Sequence, residues 1–451
     1  MREFSFPQRV IILISLSSVG TAFWQQPDAT LWFLMVATQL GFLVLAGFRI
    51  ILVLCSRESL PAVVRSDAWP TYTILAALHD EAEVVPQLVA RLSALDYPSE
   101  KLQGMLLIEA HDAATLAAAR RANRPLWLDV VVVPPGRPLT KPRALNHGLE
   151  RATGTLLTVF DAEDHPHPQQ LKEAASRFAI ITSARLACIQ APLRIRRPDY
   201  ALPGYAFLQQ QFAIEYAALF EVTLPGLARL GLPFPLGGTS NHFRTDILKS
   251  VGGWDSFNVT EDADLGFRLW RRGWKLGVMN SPTHEVAPNA LQDWLPQRTR
   301  WLKGFMQTWG VHTRTLRGLG LAGLASLTLT LGGTLASAGI HALAVSWLIA
   351  TVLIALLSGQ APAPPAFAVA VMALGTAAAL LGGQIGARRA GLTYSVRDMV
   401  MSPLYWSLMS LAFAHAVWRL ILEPYTWDKT RHRPDLAPID DQRVHAGRQV
   451  I

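Results

Sequence analysis

The chain has 451 residues, a formal net charge of +8 and 51% hydrophobic residues; that length exceeds one ordinary soluble domain and suffices for two or three units, and a mean hydropathy of +0.24 points to membrane spans. Only two cysteines, Cys55 and Cys188, are present, which excludes a disulfide framework, and no metal-ligand spacing joins them. The basic balance suits an anionic membrane surface or a phosphate-bearing substrate; no compact Lys/Arg block with interleaved aromatics appears, which argues against nucleic acid.

The first apolar run is Val10 to Trp24 and the second is Leu31 to Cys55, interrupted mainly by Gln39 and Arg49. The first run is read as a span rather than a signal peptide, because it flows into the second through Gln25-Gln26-Pro27-Asp28 without a small-residue cleavage site. Two spans return the chain to its starting side. Arg2, Arg9, Arg57 and Arg65 then share that side, which the positive-inside rule makes cytoplasmic. Residues 1–65 are therefore expected to form a transmembrane hairpin.

From residue 66 to about 316 the pattern changes. Strand candidates are Thr71–Leu78, Met105–Glu109, Leu128–Val133, Leu156–Phe160 and Leu186–Gln190. Helical patterns lie between them, such as Ala82–Leu95 with Val84, Val85, Leu88, Val89, Leu92 and Leu95 in phase. Such alternation predicts an α/β domain with a mostly parallel sheet. Ligands of these sheets bind beyond the carboxyl ends of the strands. Glu81, the pair Glu109 and Asp112, and the group Asp161, Glu163 and Asp164 all fall at or just past such ends. Three acidic clusters are thus expected on one rim.

Asp161-Ala162-Glu163-Asp164 can aim alternate carboxylates at one hard cation, Mg²⁺ or Mn²⁺, which would in turn hold a diphosphate. The same segment also reads as an acidic turn leading to the helix after Pro166. Lys141, Arg143 and Asn146 open the preceding helix, where a cation and the helix N-terminus suit phosphate; a solvated basic helix start is the plainer alternative. The stretch Gly237-Gly238-Thr239-Ser240-Asn241-His242-Phe243 is a small-residue loop that lets backbone approach a ligand. Ala201–Leu230 is expected to be an interfacial helix. Thr260-Glu261-Asp262 precedes a predicted helix over Ala263–Arg272. Asn258 with Glu261 resembles a capping box, yet Asp262 also suits a general base. In Leu291–Trp309, Gln297, Arg300 and Trp301 recur at i, i+3 and i+4 on one helical face, with Arg298 beside them. That segment also has the look of an amphipathic helix on a membrane surface.

Leu319 to Leu357 is uncharged over about twice the roughly 20 residues one span needs, so a hairpin, or an interfacial helix and a span, is expected. Ser358 to Pro365 forms a neutral loop, and Ala366 to Ile385 is a further span. Met399 to Leu422 has basic residues on both flanks, and Pro403 suggests a break into a re-entrant or interfacial element. Residues 317–425 are thus a membrane region, and 426–451 a polar tail.

Together these motifs resemble the inverting family 2 glycosyltransferases, and among them the membrane-embedded processive type that includes the bacterial cellulose synthase catalytic subunit. Asp161-Ala162-Glu163-Asp164, Thr239-Ser240-Asn241-His242-Phe243, Thr260-Glu261-Asp262-Ala263-Asp264-Leu265, Gln297-Arg298-Thr299-Arg300-Trp301 and Trp427-Asp428-Lys429-Thr430-Arg431-His432 carry the resemblance. It implies a GT-A (Rossmann-like) domain inserted between N- and C-terminal transmembrane helices. It also implies a nucleotide-sugar donor, UDP-linked, with Mg²⁺ or Mn²⁺. Glu81, Glu109, Asp112, Lys141 and Arg300 would then bind the nucleotide, and Asp161 and Glu163 the metal, with Asp164 as a substitute ligand. Asp262, with Glu261, would be catalytic. Gln297, Arg298 and Trp301 would meet the diphosphate and the acceptor. Two departures stand out: Glu109-Ala110-His111-Asp112 keeps the nucleotide pattern poorly, and Glu163 replaces the usual second Asp. The implied protein sits in the bacterial inner membrane with its catalytic domain in the cytoplasm. It would extend a glycan or lipid-linked acceptor, with accessory export subunits as further partners. Single-sugar transfer to a lipid carrier and a catalytically silent synthase subunit are the alternatives. A transporter is disfavoured because Arg49 is nearly alone as an intramembrane charge.

Overall fold

A computed structural model describes residues 5–56, 68–180, 184–196, 206–288, 290–358, 366–423 and 434. The chain begins with α1 (Phe6–Gln25) and α2 (Pro27–Cys55), separated by Gln26 alone. It then alternates through β1 (Tyr72–Leu78), α3 (Val85–Ser93), β2 (Leu102–Glu109), α4 (Ala113–Arg121), β3 (Leu128–Val133), α5 (Lys141–Arg151) and β4 (Leu156–Val159). There follow β5 (His165–Pro166), α6 (Gln170–Ala179), β6 (Leu186–Gln190) and β7 (Leu193–Arg196). Next, α7 (Ala206–Ala218) runs through a π-helical stretch, Leu219–Thr223, into α8 (Leu224–Arg229). After β8 (Asn241–Arg244) come α9 (Thr245–Ser250), α10 (Glu261–Arg271), β9 (Lys275–Val278), β10 (Thr283–Val286) and α11 (Leu291–Thr313). The C-terminal helices are α12 (Gly320–Leu327), a second π-helical stretch, Thr328–Gly332, α13 (Gly333–Ser358), α14 (Ala366–Ala390) and α15 (Val396–Leu422).

Seven strands form one sheet in the order β3-β2-β1-β4-β8-β6-β9. The β3-β2-β1-β4 half is parallel, as the alternation predicts, and β6 and β9 also pair parallel. However, β8 runs antiparallel to both β4 and β6, so the sheet is mixed. A three-stranded sheet, β5-β10-β7, flanks it. Strand β1 is buried almost throughout because it lies mid-sheet with both faces covered. Its alternate residues feed two cores: Ile74, Ala76 and Leu78 pack with Val85, Leu88 and Phe160, whereas Leu75 packs with Leu107, Leu145 and Leu157. That second core continues without a break into Leu52 of α2, Trp294 of α11 and Tyr405 of α15. The soluble layer and the long apolar helices therefore share one interior.

Among the described residues, five helices are long and apolar enough to cross a membrane. Two expectations change here. The apolar run after Leu319 is neither a hairpin nor two elements, but one helical rod over Gly320–Ser358 with the π-helical stretch inside it. Pro403 does not break α15, which stays continuous because its first turns are braced from outside: Gln211 donates to the Asp398 carbonyl at 2.7 Å, and Ser402 Oγ donates to Gln211 Oε1 at 3.0 Å. Helix α15 lies along α11, with Trp294 against Tyr405, Thr299 against His415 and Lys303 against the Glu423 carbonyl. Arg2, Arg57, Arg65, residues 201–205, the loop 359–365 and the Trp427–His432 motif lie outside the described residues.

Two glycines let membrane helices touch the layer above them. A Cβ at Gly386 in α14 would lie 2.5 Å from the Ala217 carbonyl oxygen of α7, and one at Gly226 in α8 would lie 2.7 Å from the Leu52 carbonyl oxygen of α2. Backbone at that distance has no room to yield. Gly386→Ala is expected to lower stability in detergent by about 1–3 kcal/mol, the usual effect of overpacking. An unchanged unfolding midpoint would show that α14 does not seat on α7 this closely.

Candidate active site

The rim formed by the ends of β1, β2 and β4 opens into a cavity of about 1240 Å³ that α7, α8, α10 and α11 help to wall. Each acid takes a place there for a local reason. Beyond β4 the chain turns over residues 161–164, closed by Asp164 N–H on the Asp161 carbonyl at 3.2 Å. The Asp164 carboxylate accepts from the Asp161 N–H at 2.7 Å and from Thr239 Oγ1. It is fully buried, and burial, then Asp161 and Glu163, push its carboxyl well above the usual range. Asp164 thus clasps the turn through Oδ2 and is not among the residues that line the cavity, while its Oδ1 has no hydrogen-bond partner. It does not cap α6 either, whose N-cap is Gln169. Asp161 and Glu163 do line the cavity.

Lys141, the first residue of α5, ion-pairs with Asp161 and donates to the Gly238 carbonyl at 2.7 Å. Burial opposes its charge, but Asp161 and then Glu261 outweigh that and raise its pKa. Its two helix neighbours are engaged elsewhere. Arg143 pairs with Glu109, and Asn146 exchanges bonds with the backbone of Trp254 at 2.7 and 2.9 Å. Of the nucleotide candidates, Glu81 and Glu109 line the cavity. Asp112 does not: it caps α4, accepting from Thr115 N–H at 3.1 Å and Asp80 N–H at 2.6 Å. Asp80 holds a positive φ of 51° to make that contact. His79, Asp80 and Asp112 bring ligand atoms within 4.8 Å of one another, yet both Asp112 oxygens already accept backbone bonds.

Helix α10 starts at Glu261, two residues earlier than the pattern suggests, with Thr260 as N-cap. No capping box forms. Asn258 instead accepts from Thr260 N–H at 3.0 Å and donates to Thr308 of α11 at 3.1 Å. Asp262 Oδ1 accepts from Ala263 N–H at 2.7 Å. Its other oxygen faces Gly238, where a Cβ would lie 3.2 Å away, so the glycine leaves that oxygen open to the cavity. Burial raises the Asp262 carboxyl to about 6, while Lys141 and Arg300 pull the other way. Burial and then Asp262 raise Glu261 as well.

Gln297, Arg298, Arg300 and Trp301 of α11 reach the same cavity. Arg298 is nonetheless only 3% exposed. It makes a two-pronged pair with Glu215 at 2.7 and 2.8 Å, donates to Tyr405 Oη at 3.1 Å, and lies 4.6 Å from the ring centres of both Phe212 and Trp301. Its two terminal nitrogens are engaged by α7 and α15, while Arg300, two residues on, also lines the cavity. A second brace links α10 to α11. Asp264 pairs with His312 at 3.0 Å and with Arg268 at 2.6 Å, all buried or nearly so.

One acid in the cavity escapes the sequence patterns: Glu285 of β10. Burial, then Asp164, Glu163 and Asp161, push its carboxyl well above the usual range. Its strand has four residues and lacks a clear alternation, so nothing local marks it. Asp161, Glu163 and Glu285 form a hard-oxygen wall whose mutual repulsion a divalent cation would relieve. Magnesium takes one or two carboxylates and completes its shell with phosphate and water, so Asp161 and Glu163 suit it by donor chemistry, although among the described residues the acids and histidine already gathered within 4.8 Å are His79, Asp80 and Asp112.

Comparison with known proteins locates the fold. Residues 70–304 match the family described as "Glycosyltransferase like family 2". A β-monoglucosyldiacylglycerol synthase of Synechocystis is 26% identical over 265 residues, 55% of this chain and 52% of that protein. A UDP-forming cellulose synthase catalytic subunit of Komagataeibacter sucrofermentans is 27% identical over 273 residues, 59% of this chain and 34% of that protein. The chain thus spans about half or less of the length of these relatives. Among solved structures, a mannosyltransferase of Pyrobaculum calidifontis in complex with GDP-Man and Mn²⁺ superposes with a TM-score of 0.55 at 17% identity, covering 86% of this chain and 97% of that one. The α/β layer is therefore a GT-A-like domain, flanked at both ends by the candidate spans.

Proposed function

Because this chain belongs to glycosyltransferase family 2, we propose that it moves a sugar, with inversion, from a nucleoside diphosphate donor to a glycan or lipid-linked acceptor at a membrane surface. The assignment is a polysaccharide synthase of the bacterial inner membrane, with residues 66–316 on the cytoplasmic side between the membrane regions 1–65 and 317–425. Export subunits would be its further partners. What supports the reading is one cavity that receives acids from three strand ends, the open carboxylate of Asp262, and Arg300 with Trp301 on α11.

In the proposed reaction the acceptor hydroxyl attacks the anomeric carbon of the donor. The proton goes to the free oxygen of Asp262, the bond from the anomeric carbon to the β-phosphate oxygen breaks, and the diphosphate leaves with the electron pair. Arg300 and Lys141 are assigned to the charge that grows on the diphosphate. Glu81 and Glu109 are assigned to the nucleoside, with the Arg143 pair fixing the position of Glu109. Trp301 and Gln297 are assigned to the acceptor, the indole stacking on a sugar face. Asp161 and Glu163, with Glu285, would hold Mg²⁺ or Mn²⁺, which neutralises diphosphate charge when bound.

The test is incorporation of radiolabelled sugar by membranes that contain this protein alone. A UDP-linked hexose is expected to label a membrane-bound product; label from a guanosine-linked donor would correct the base. No label from any nucleotide sugar, with added Mg²⁺ or Mn²⁺, would refute the assignment.

A further inference from the structure

The cavity continues past the rim, down between α2, α13 and α14. There Met35, Phe42, Ala344, Val371, Met372 and Gly375 line it. This lower part is open sideways: Leu31, Leu34, Leu343 and Trp347 line it and remain 38–71% exposed, on helix faces that hydrocarbon would cover. A conduit for a bare sugar chain would be sealed from lipid and lined with hydrogen-bonding groups. This groove is not sealed on that side, and apolar side chains dominate its lining, with Thr38, Gln39, Thr334, Ser337, His341 and Thr376 as the polar uncharged members. Along α2 its lining runs from Leu31 to Val53, about 33 Å at about 1.5 Å per residue, close to the thickness of a bilayer core.

Among the described lining residues of these three helices, Arg49 is the only charged one. A guanidinium offers five donors, yet its one hydrogen bond is a long one, 3.5 Å to Ser337 Oγ on α13. No carboxylate pairs with it among the described residues. An arginine at the lipid face could snorkel to the surface, but this one borders the inner groove. It lies one turn before Leu52, whose backbone touches Gly226 of α8, so it sits just beneath the layer that floors the catalytic cavity. Charge in such a place is costly unless an anion meets it, and ionisable groups at this depth mark substrate paths.

We infer that the acceptor reaches the site as a lipid conjugate, with a phosphate of its head group on Arg49 and Ser337 and its tail in the groove between α2, α13 and α14. The inference rests on the glycosyltransferase reading of the same cavity. It narrows the acceptor to a lipid that has both a phosphate and a long chain.

The experiment uses the full chain in nanodiscs of phosphatidylcholine. Three probes are compared for binding by native mass spectrometry: a long-chain polyprenyl phosphate, the polyprenol of the same tail, and geranyl phosphate. The long phosphate is expected to bind at least about tenfold more tightly than either of the others, the usual scale of charge-assisted hydrogen bonds. Arg49→Gln should erase its advantage over the alcohol, and Arg49→Lys should keep part of it. Gly375 has open space around it, so Gly375→Leu should fill the groove and weaken both long probes by a similar factor while sparing the short phosphate. Equal binding of phosphate and alcohol, or an advantage that survives Arg49→Gln, overturns the inference. Unaltered long-chain binding in Gly375→Leu overturns the placement of the tail. Donor turnover by the unmodified protein tests the glycosyltransferase reading separately: its absence removes that reading, whereas turnover without selective lipid binding removes only this one.

Discussion

Asp262→Asn should lower sugar transfer about 10²–10⁴-fold, the range that a positioned general base contributes, while donor binding persists. The substitution keeps the size of the side chain and its bond from the Ala263 N–H. It removes only the capacity to take a proton at the oxygen that faces Gly238. The wild-type pH profile gives the complementary result. Burial raises the Asp262 carboxyl to about 6, so the base is charged above that pH and protonated below it. The transfer rate is therefore expected to be flat above about pH 7 and to fall about tenfold per unit below pH 6. Near-normal turnover by Asp262→Asn would end the assignment of this residue as the base.

Arg298→Ala should destabilise the protein by about 1–3 kcal/mol, because a buried guanidinium's hydrogen bonds and packing are lost, although Glu215, 36% exposed, can turn to water. Glu215 and Tyr405 would lose the guanidinium between them, and Phe212 and Trp301 would lose the plane they pack against. Arg298→Lys should recover little, since an ammonium can neither bridge both Glu215 oxygens nor fill the slot between two rings. Its neighbour Arg300, which lines the cavity, is expected to show a larger loss of transfer than of stability when replaced by alanine. Unfolding in detergent and sugar incorporation, measured on both alanine variants, separate the two. An unfolding midpoint in Arg298→Ala equal to that of wild type would show that the network holds nothing together.

The parallel half of the sheet is legible because β1, β2 and β4 are apolar runs bounded by acids and turn residues, and their ends bring Glu81, Glu109 and Asp161 to one rim. The strand that breaks the pattern, β8, is four residues long and lies in a motif read for its small side chains, so its reversed direction had no sequence signal. Asp112 and Asp164 show the main ambiguity of acidic motifs. A carboxylate that closes a turn and one that faces a ligand look alike in sequence, and only burial and donors separate them. The pairing of Arg298 has no local signal for a related reason: its partners, Glu215 and Tyr405, lie 83 and 107 residues away along the chain. Helix periodicity gives the face of α11 but not the pairing of Arg298 with α7 and α15.

The staples between the chain's beginning and its far end constrain the order of assembly. Gln8 of α1 donates to the Gly310 carbonyl at 2.8 Å and to Thr313 at 3.0 Å, both on α11. The last residue but one of α14, Arg389, donates to the Ser56 carbonyl just after α2 at 2.8 Å, and also to the Glu221 carbonyl. A ribosome makes these groups in order, at about 5–20 residues per second. Residue 8 therefore waits at least about fifteen seconds for its partner, and residue 56 waits about as long for residue 389. During that interval the first two helices stand in the bilayer with the groove unroofed on one side, and the pivotal arginine at position 49 has no Ser337 to meet. Nascent chains stalled before residue 389 should accordingly be protease-sensitive across the π-helical stretch Leu219–Thr223, which acquires its Arg389 contact last.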